Sequence, residues 1–379
     1  MNRSLHAPAG LTLAILLGLM SAGVLGGGCG STPPNDPRSS RASKSAVRKA
    51  ADNAARSAAN PEPTQGEDPF ASPVARGQLR ERAISLLAAA AAGTSPEQRA
   101  NAIEALGVVP TRLEAILRSA LTDASPPVRA VAAAMVGRLR MTSSVSFVEP
   151  LTRDQFVMAR ASALYALKRC GQDVDLTPFS TFLEDPSTKV RSHAAFLLGD
   201  LGDSSAIGLL RETAHDLMPR ASQSDVRLMQ LQIAEARVKL GDDSALPEVR
   251  AALFPARNDD LEATALAAQI VGQVQDRASI NQLINLASMK DGSGKPMPSE
   301  VRLASAGALA RLGLPQGAFI AREYLASTIP ALRAQAAYIL GETGQAENLI
   351  PLDTLMKDQN GLVRIAAAAA ALRVLEIPK

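Results

Sequence analysis

The side chains suited to nucleophilic, acid-base or metal chemistry are few in this chain and far apart. Histidine occurs at His6, His193 and His215, and cysteine at Cys29 and Cys170. A metal centre or an activated nucleophile needs several such groups at short helical or turn spacings. None of the five has that company, and the sequence holds no GxSxG, CxxC, HExxH or Walker-type glycine loop. His193, beside Ala194 and Ala195, reads as a helix-surface residue, and Cys170, just before Gly171, as a structural thiol. Asp242 and Asp243 lack the alternating spacing of a calcium loop and read as solvated turn residues. The expectation is a protein that is not an enzyme and has no catalytic residue, metal or cofactor.

The regular charges are arginines. The stretch LRAQAAYILGETG, residues 332–344, returns at 190–202, 159–171 and 301–313, and looser copies complete a series of slots at Arg99, Arg129, Arg160, Arg191, Gln230, Thr264, Arg302, Arg333 and Arg364. Small or apolar residues follow the arginine slots at the third, fourth and seventh positions, as Ala336, Ala337 and Leu340 follow Arg333. Those offsets share one face of a helix, and alanine there lets a neighbouring helix approach closely. Six positions before the slot stands an aspartate in four copies: Asp123 with Arg129, Asp154 with Arg160, Asp185 with Arg191, and Asp358 with Arg364. In the turn entering the helix such a carboxylate can cap free N–H groups and meet a guanidinium of the same or the adjacent repeat, forming a structural ladder.

Most slots lie 30 or 31 residues apart, room for two short helices and two turns. Amphipathic segments such as 113–121, 207–214, 246–253, 280–289, 318–327 and 350–356 are fit to be the second helix of each pair. The pattern predicts an all-α fold, a right-handed α-α superhelix of about nine helical hairpins over residues 77–379. An apolar content of 46% with only 3% aromatic residues and no Trp fits one such alanine-rich solenoid better than several globular domains.

With its D/VRxxAAxxLGxLG signature the chain resembles the HEAT family, and in particular the HEAT-like repeats of phycobilisome lyases. That resemblance implies a HEAT/armadillo-type solenoid, and among its functions scaffolds, adaptors, lyases and a hydroxylase. The hydroxylase branch carries repeated His-Glu pairs in the signature helix; here Ser192 and His193 stand at the corresponding place, and no His-Glu dipeptide occurs.

Three successive slot spacings lengthen to 39, 34 and 38 residues, with the extra residues at 217–224, 254–259 and 290–299, between the two helices of a hairpin. The Arg is lost at Gln230 and Thr264 in the same region. Loops at equivalent points of successive repeats project from one edge, so this ridge is a candidate partner surface, with Lys295 and Met297 as contacts. The alternative is the concave face around Tyr165, Phe196 and Tyr338, each five residues after its Arg, a slot that inter-repeat packing also explains. The last signature helix, beginning at Leu362, has few polar residues for a terminal cap, so either the chain end folds over it or that face meets something else.

The first thirty residues read as an export signal: Arg3, an apolar run from Leu11 to Leu25, and small residues before Cys29. The pattern is that of a bacterial lipoprotein whose cysteine, Cys29, is lipidated, although Gly26 stands where a leucine is usual. Residues 30–76, rich in Ser, Pro, Ala, Asn and Gly, read as a disordered tether spanning roughly 35 to 40 Å. The formal charge of +3 comes from the basic stretch 38–56 and Arg3, and residues 61–379 carry about −2, too little positive field for nucleic acid. The sequence thus points to a membrane-anchored, protein-binding scaffold or adaptor of the cell envelope, on the periplasmic side or secreted. Its rivals are a lyase-like or chaperone-like accessory subunit holding a client or cofactor in its groove, and a plain structural spacer.

Overall fold

The computed structural model describes residues 68–255, 261–290 and 296–376. The expected signal segment with Cys29, residues 30–67 of the expected tether, and Lys295 lie outside the described residues. Among the described residues are eighteen α-helices, which pair into nine hairpins, and no named strand. The outer helices are α1 (Pro73–Ala91), α3 (Pro110–Leu121), α5 (Val145–Val148), α7 (Pro178–Leu183) and α9 (Ile207–His215), then α11 (Leu246–Ala252), α13 (Ile280–Ser288), α15 (Gln316–Arg322) and α17 (Leu349–Leu355). The inner, signature helices are α2 (Pro96–Ala105), α4 (Pro126–Leu139), α6 (Val157–Arg169), α8 (Thr188–Leu201) and α10 (Gln223–Lys239), then α12 (Leu261–Gln273), α14 (Ser299–Arg311), α16 (Pro330–Glu342) and α18 (Gly361–Glu376).

Local sequence fixes these boundaries. Proline in the first turn opens α1, α2, α3, α4 and α16, where a missing N–H costs nothing. Ser72 and Ser95 cap α1 and α2, their hydroxyls accepting from the N–H of Ala75 at 3.1 Å and of Gln98 at 3.4 Å. The repeats' terminal glycines end helices, as Gly202 does at φ 78° after α8. The first helix begins at Pro73, ahead of the expected start of the solenoid at 77. Helices α5 and α7 are the two outer elements that the periodicity does not reveal, being only 4 and 6 residues long.

Inner helices pack side by side in chain order, and the series returns to its beginning: α18 packs against both α1 and α2. The alanine-rich last helix therefore covers no end. Its Leu372 and Ala367–Ala371 join Leu79, Ala83, Leu87 and Ile103 in one hydrophobic cluster, which closes the solenoid into a ring. Two ion pairs span this seam, Arg80 to Glu376 and Arg82 to Asp353, both at 2.6 Å. The two outcomes left open for the apolar final helix resolve as contact with the first hairpin of the same chain.

The ring alternates in tightness. Gly137, Gly199, Gly272 and Gly341 occupy one position of α4, α8, α12 and α16, and a Cβ on any of them would meet an alanine Cα of the next inner helix. The distances would be 2.8 Å to Ala166, 2.9 Å to Ala236, 2.7 Å to Ala308 and 2.7 Å to Ala370. Glycine allows these backbones to touch, so the hairpins stack in close pairs.

A docking edge built from the enlarged turns

In every hairpin the slot residue satisfies carbonyls left bare at the turn into the inner helix. Arg129 donates to the Asp123 carbonyl at 2.8 Å, Arg160 to that of Asp154 at 2.7 Å, Arg191 to that of Asp185 at 2.7 Å and Arg364 to that of Asp358 at 2.8 Å. The carboxylates of these aspartates serve the turn and, at Asp123, Asp154 and Asp358, the preceding hairpin. Each accepts a backbone N–H two residues on, from Ser125, Phe156, Ser187 and Asn360, all at 2.8 Å. The ladder then runs between hairpins: Arg99 grips Asp123, Arg129 grips Asp154 and Arg333 grips Asp358, each by two hydrogen bonds of 2.7–2.9 Å. These guanidinium bonds hold the carboxyls of Asp154 and Asp358 below the usual range. Arg191 reaches Asp216 at 2.9 Å, so its carboxylate partner is not Asp185.

Where the turns lengthen, a different chemistry takes over. Gln230 donates to the Ala214 carbonyl at 3.0 Å, Thr264 to that of Ala252 at 2.9 Å and Arg302 to that of Ala287 at 2.9 Å, so two shorter side chains and one arginine cap the last turn of the outer helix. Further interhelical pairs stand on the opposite edge of the ring. There Arg211 grips Asp242 by two bonds of 2.9 and 3.0 Å, and Arg250 grips Asp276 at 2.7 and 2.8 Å. Asp242 also accepts from Arg237 and Ser244 and is 7% exposed, which corrects the expectation of a solvated turn residue. Hydrogen bonds from Arg211 and Ser244 drive its carboxyl far below the usual range.

A cavity of about 880 Å³ lies between the fifth and sixth hairpins, with Gln230 of the altered slot in its lining. Its floor is Ala214, Leu231, Ala251, Ala252 and Ala263, and its rim carries His215, Arg227, Gln230 and Glu248. Just past the outer helices of hairpins five, six and seven stand Leu217, Phe254 and Met289, 93%, 64% and 49% exposed. The regular hairpins hold the ladder aspartates Asp123, Asp154, Asp185 and Asp358 at the corresponding point. Large apolar side chains turned to solvent thus follow the outer helix in three successive hairpins, in the fifth directly after Asp216, which still accepts from Arg191.

The residues expected to contact a partner are placed differently. Met297 is 8% exposed, its N–H donating to the Met289 carbonyl at 3.0 Å, so the exposed methionine of this turn is Met289. Tyr165, Phe196 and Tyr338 are buried on the inner face, because the ring's own charges fill it. Tyr165 donates to Asp200, and Arg138 and Lys239 sit 5.8 and 5.4 Å from the Phe196 ring centre. Arg311 and Arg373 flank the Tyr338 ring at 5.6 and 5.2 Å and both pair with Glu342. The concave face on the closed ring is therefore no groove for these three aromatics to line. His193 is also buried, against the surface position expected. Its Nε2 lies 2.9 Å from the Ser162 hydroxyl, and burial lowers its pKa to about 4. Cys170 is buried with its Sγ directed at the Val136 carbonyl, and burial pushes the thiol up. No group of His, Cys, Asp and Glu suited to a metal ion occurs among the described residues.

The architecture defined by these observations is an α-solenoid of helical hairpins joined into a ring, with one modified edge. A family model for HEAT repeats matches residues 83–168 and 294–373, the stretches on either side of the ring closure. The unmatched stretch between them contains the lengthened turns at Leu217 and Phe254 and the cavity. No curated protein matches the sequence. Solved structures to which the chain is similar include human deoxyhypusine hydroxylase, at 15% identity over 79% of this chain and 98% of that one, with a TM-score of 0.33. The complex of CpcE and CpcF of phycocyanin lyase from Nostoc sp. aligns at 20% identity over 68% and 94%, with a TM-score of 0.30. A designed armadillo repeat protein aligns at 14% identity over 68% and 98%, with a TM-score of 0.29.

Proposed function

We propose that the chain is a non-catalytic, protein-binding scaffold of a bacterial cell envelope, held at a membrane by a lipid on Cys29. The partner is gripped along the enlarged-turn edge. The row Leu217, Phe254 and Met289 carries this reading. Folding gains nothing from three large apolar side chains kept in water at matched points of successive hairpins, whereas a docked protein would bury them. The cavity beside the row offers that partner a recess with an alanine floor. The membrane part of the proposal is supported by Arg3, the apolar run Leu11–Leu25 and Cys29, with a tether between Cys29 and Pro73 that gives the ring reach. A lyase-like or chaperone-like subunit holding a client or cofactor in the groove has less support, because the inner face is occupied by Arg138, Lys239, Arg311, Arg373 and their partners.

The test compares the full chain with a Leu217→Ser, Phe254→Ser, Met289→Ser variant as baits in envelope extracts. Partners recovered by the first and lost by the second support the edge; an identical set from both counts against it. Labelling with a fatty-acid analogue addresses the anchor. Wild type should take up label and Cys29→Ser should not, and an unlabelled wild type removes the lipid from the proposal.

A further inference from the structure

The edge has a spacing as well as a polarity. Leu217, Phe254 and Met289 come from consecutive hairpins, each just past its outer helix, after His215, Ala252 and Ser288. Packed helical layers repeat every 8–10 Å or so, which sets the step from one of these side chains to the next. A partner that covers all three must present apolar groups on one face at about that interval. An extended strand advances about 3.3 Å per residue, so the step takes three residues, and an odd step turns the next side chain to the opposite face. An α-helix advances about 10.5 Å in seven residues and returns to nearly the same face.

We infer that the enlarged-turn edge receives an amphipathic α-helix of a partner protein, with apolar residues at i, i+7 and i+14 set against Leu217, Phe254 and Met289. The inference rests on the docking-edge reading above and names the chemistry of its partner. The cavity between the fifth and sixth hairpins adds a fourth contact. It opens between the Leu217 and Phe254 turns, and its floor of Ala214, Leu231, Ala251, Ala252 and Ala263 has room for a large apolar side chain one helical turn from the heptad row. Its walls differ in charge: Arg227 and His215 belong to the α9–α10 side, and Glu248 to α11.

The probe is a synthetic, fluorescently labelled helix of about three heptads on an Ala/Glu/Lys/Gln background with leucine at i, i+7 and i+14. Two controls accompany it: the same composition with the leucines redistributed around the helix, and a proline-rich peptide with leucine every third residue, since polyproline II keeps such residues on one face at about 9 Å. Anisotropy is read against the full chain and its Phe254→Ser and Leu217→Ser variants, whose substituted side chains are exposed and leave the packed helices untouched. The heptad peptide should bind the wild-type chain, and each substitution should weaken it by about tenfold. Equal binding of the redistributed peptide, tighter binding of the proline-rich one, or indifference to both substitutions overturns the helix. If the helix fails while the triple variant still loses its envelope partners, the docking edge survives and only its occupant is wrong. If the triple variant keeps every partner, the edge itself falls.

Discussion

Replacing Gly341 by alanine should weaken the ring. The new Cβ would lie 2.7 Å from both the Cα and the Cβ of Ala370 in α18, contacts that involve backbone and that no rotamer relieves. Restoring ordinary contact requires α16 and α18 to separate by several tenths of an ångström along a seam lined with small residues. Overpacking of this kind costs about 1–3 kcal/mol. Alanine in a helix interior returns about 1 kcal/mol over glycine, so the net loss is about 0–2 kcal/mol, and the close backbone contact places it in the upper part of that range. Gly77 supplies the opposite case. It lies within α1 and has nothing within 4 Å of an added Cβ, so Gly77→Ala should stabilise by about 0.5–1 kcal/mol. Urea unfolding followed by far-ultraviolet circular dichroism reads both, as a lower midpoint for the first and a higher one for the second. Shifts of the same sign, or a Gly341→Ala protein as stable as wild type, would refute the close-pair packing.

The ladder should couple Arg333 to Asp358, which share two bonds of 2.8 Å, by about 1–2 kcal/mol in a double-mutant cycle of unfolding free energies. The same cycle on Arg191 and Asp185 should show no coupling, because Arg191 bonds only the Asp185 carbonyl, which alanine retains; Asp185→Ala alone should cost about 1 kcal/mol through the lost cap on Ser187. Buried His193 binds its proton only near pH 4 in the folded chain, against an ordinary 6.5, so the unfolded chain takes up more protons and stability falls as pH drops from 6.5 towards 4. The loss from this residue should be about 2 kcal/mol at pH 5 relative to pH 7.5, and His193→Gln should flatten that part of the stability profile measured by urea titration.

The repeat was legible because arginine, alanine pairs and leucine recur at fixed offsets, and each offset has one packing consequence. Closure was only half legible: the apolar face of α18 announced a missing neighbour, but nothing local to Leu362–Leu375 identifies α1 and α2 as that neighbour. The alternation of close pairs had a written signal in glycine eight residues after Arg129, Arg191, Thr264 and Arg333, answered by alanine six residues after the next slot. At the candidate site, turn length and the lost arginines pointed to the edge on which Leu217, Phe254 and Met289 stand exposed. They did not reveal its apolar character, because Leu217, Phe254 and Met289 are unremarkable as residues and become informative only once their side chains are seen to be exposed. Met297 misled for the same reason, since burial separates it from Met289 eight residues earlier. The aromatic slot of Tyr165, Phe196 and Tyr338 could not be assigned to groove or packing until the charges on adjacent inner helices were seen to enclose it.

The central claim is that a protein partner lies on the edge that carries Phe254. It is tested most directly by placing a photo-activatable residue at position 254 of the full chain in cells, with position 319 as the matched control. Phe254 and Phe319 are equally exposed, at 64% and 65%, but Phe319 belongs to α15, an outer helix away from the three enlarged turns. Irradiation should yield a discrete protein adduct from position 254 that position 319 does not give. The same adduct from both positions, or none from position 254, would contradict the account.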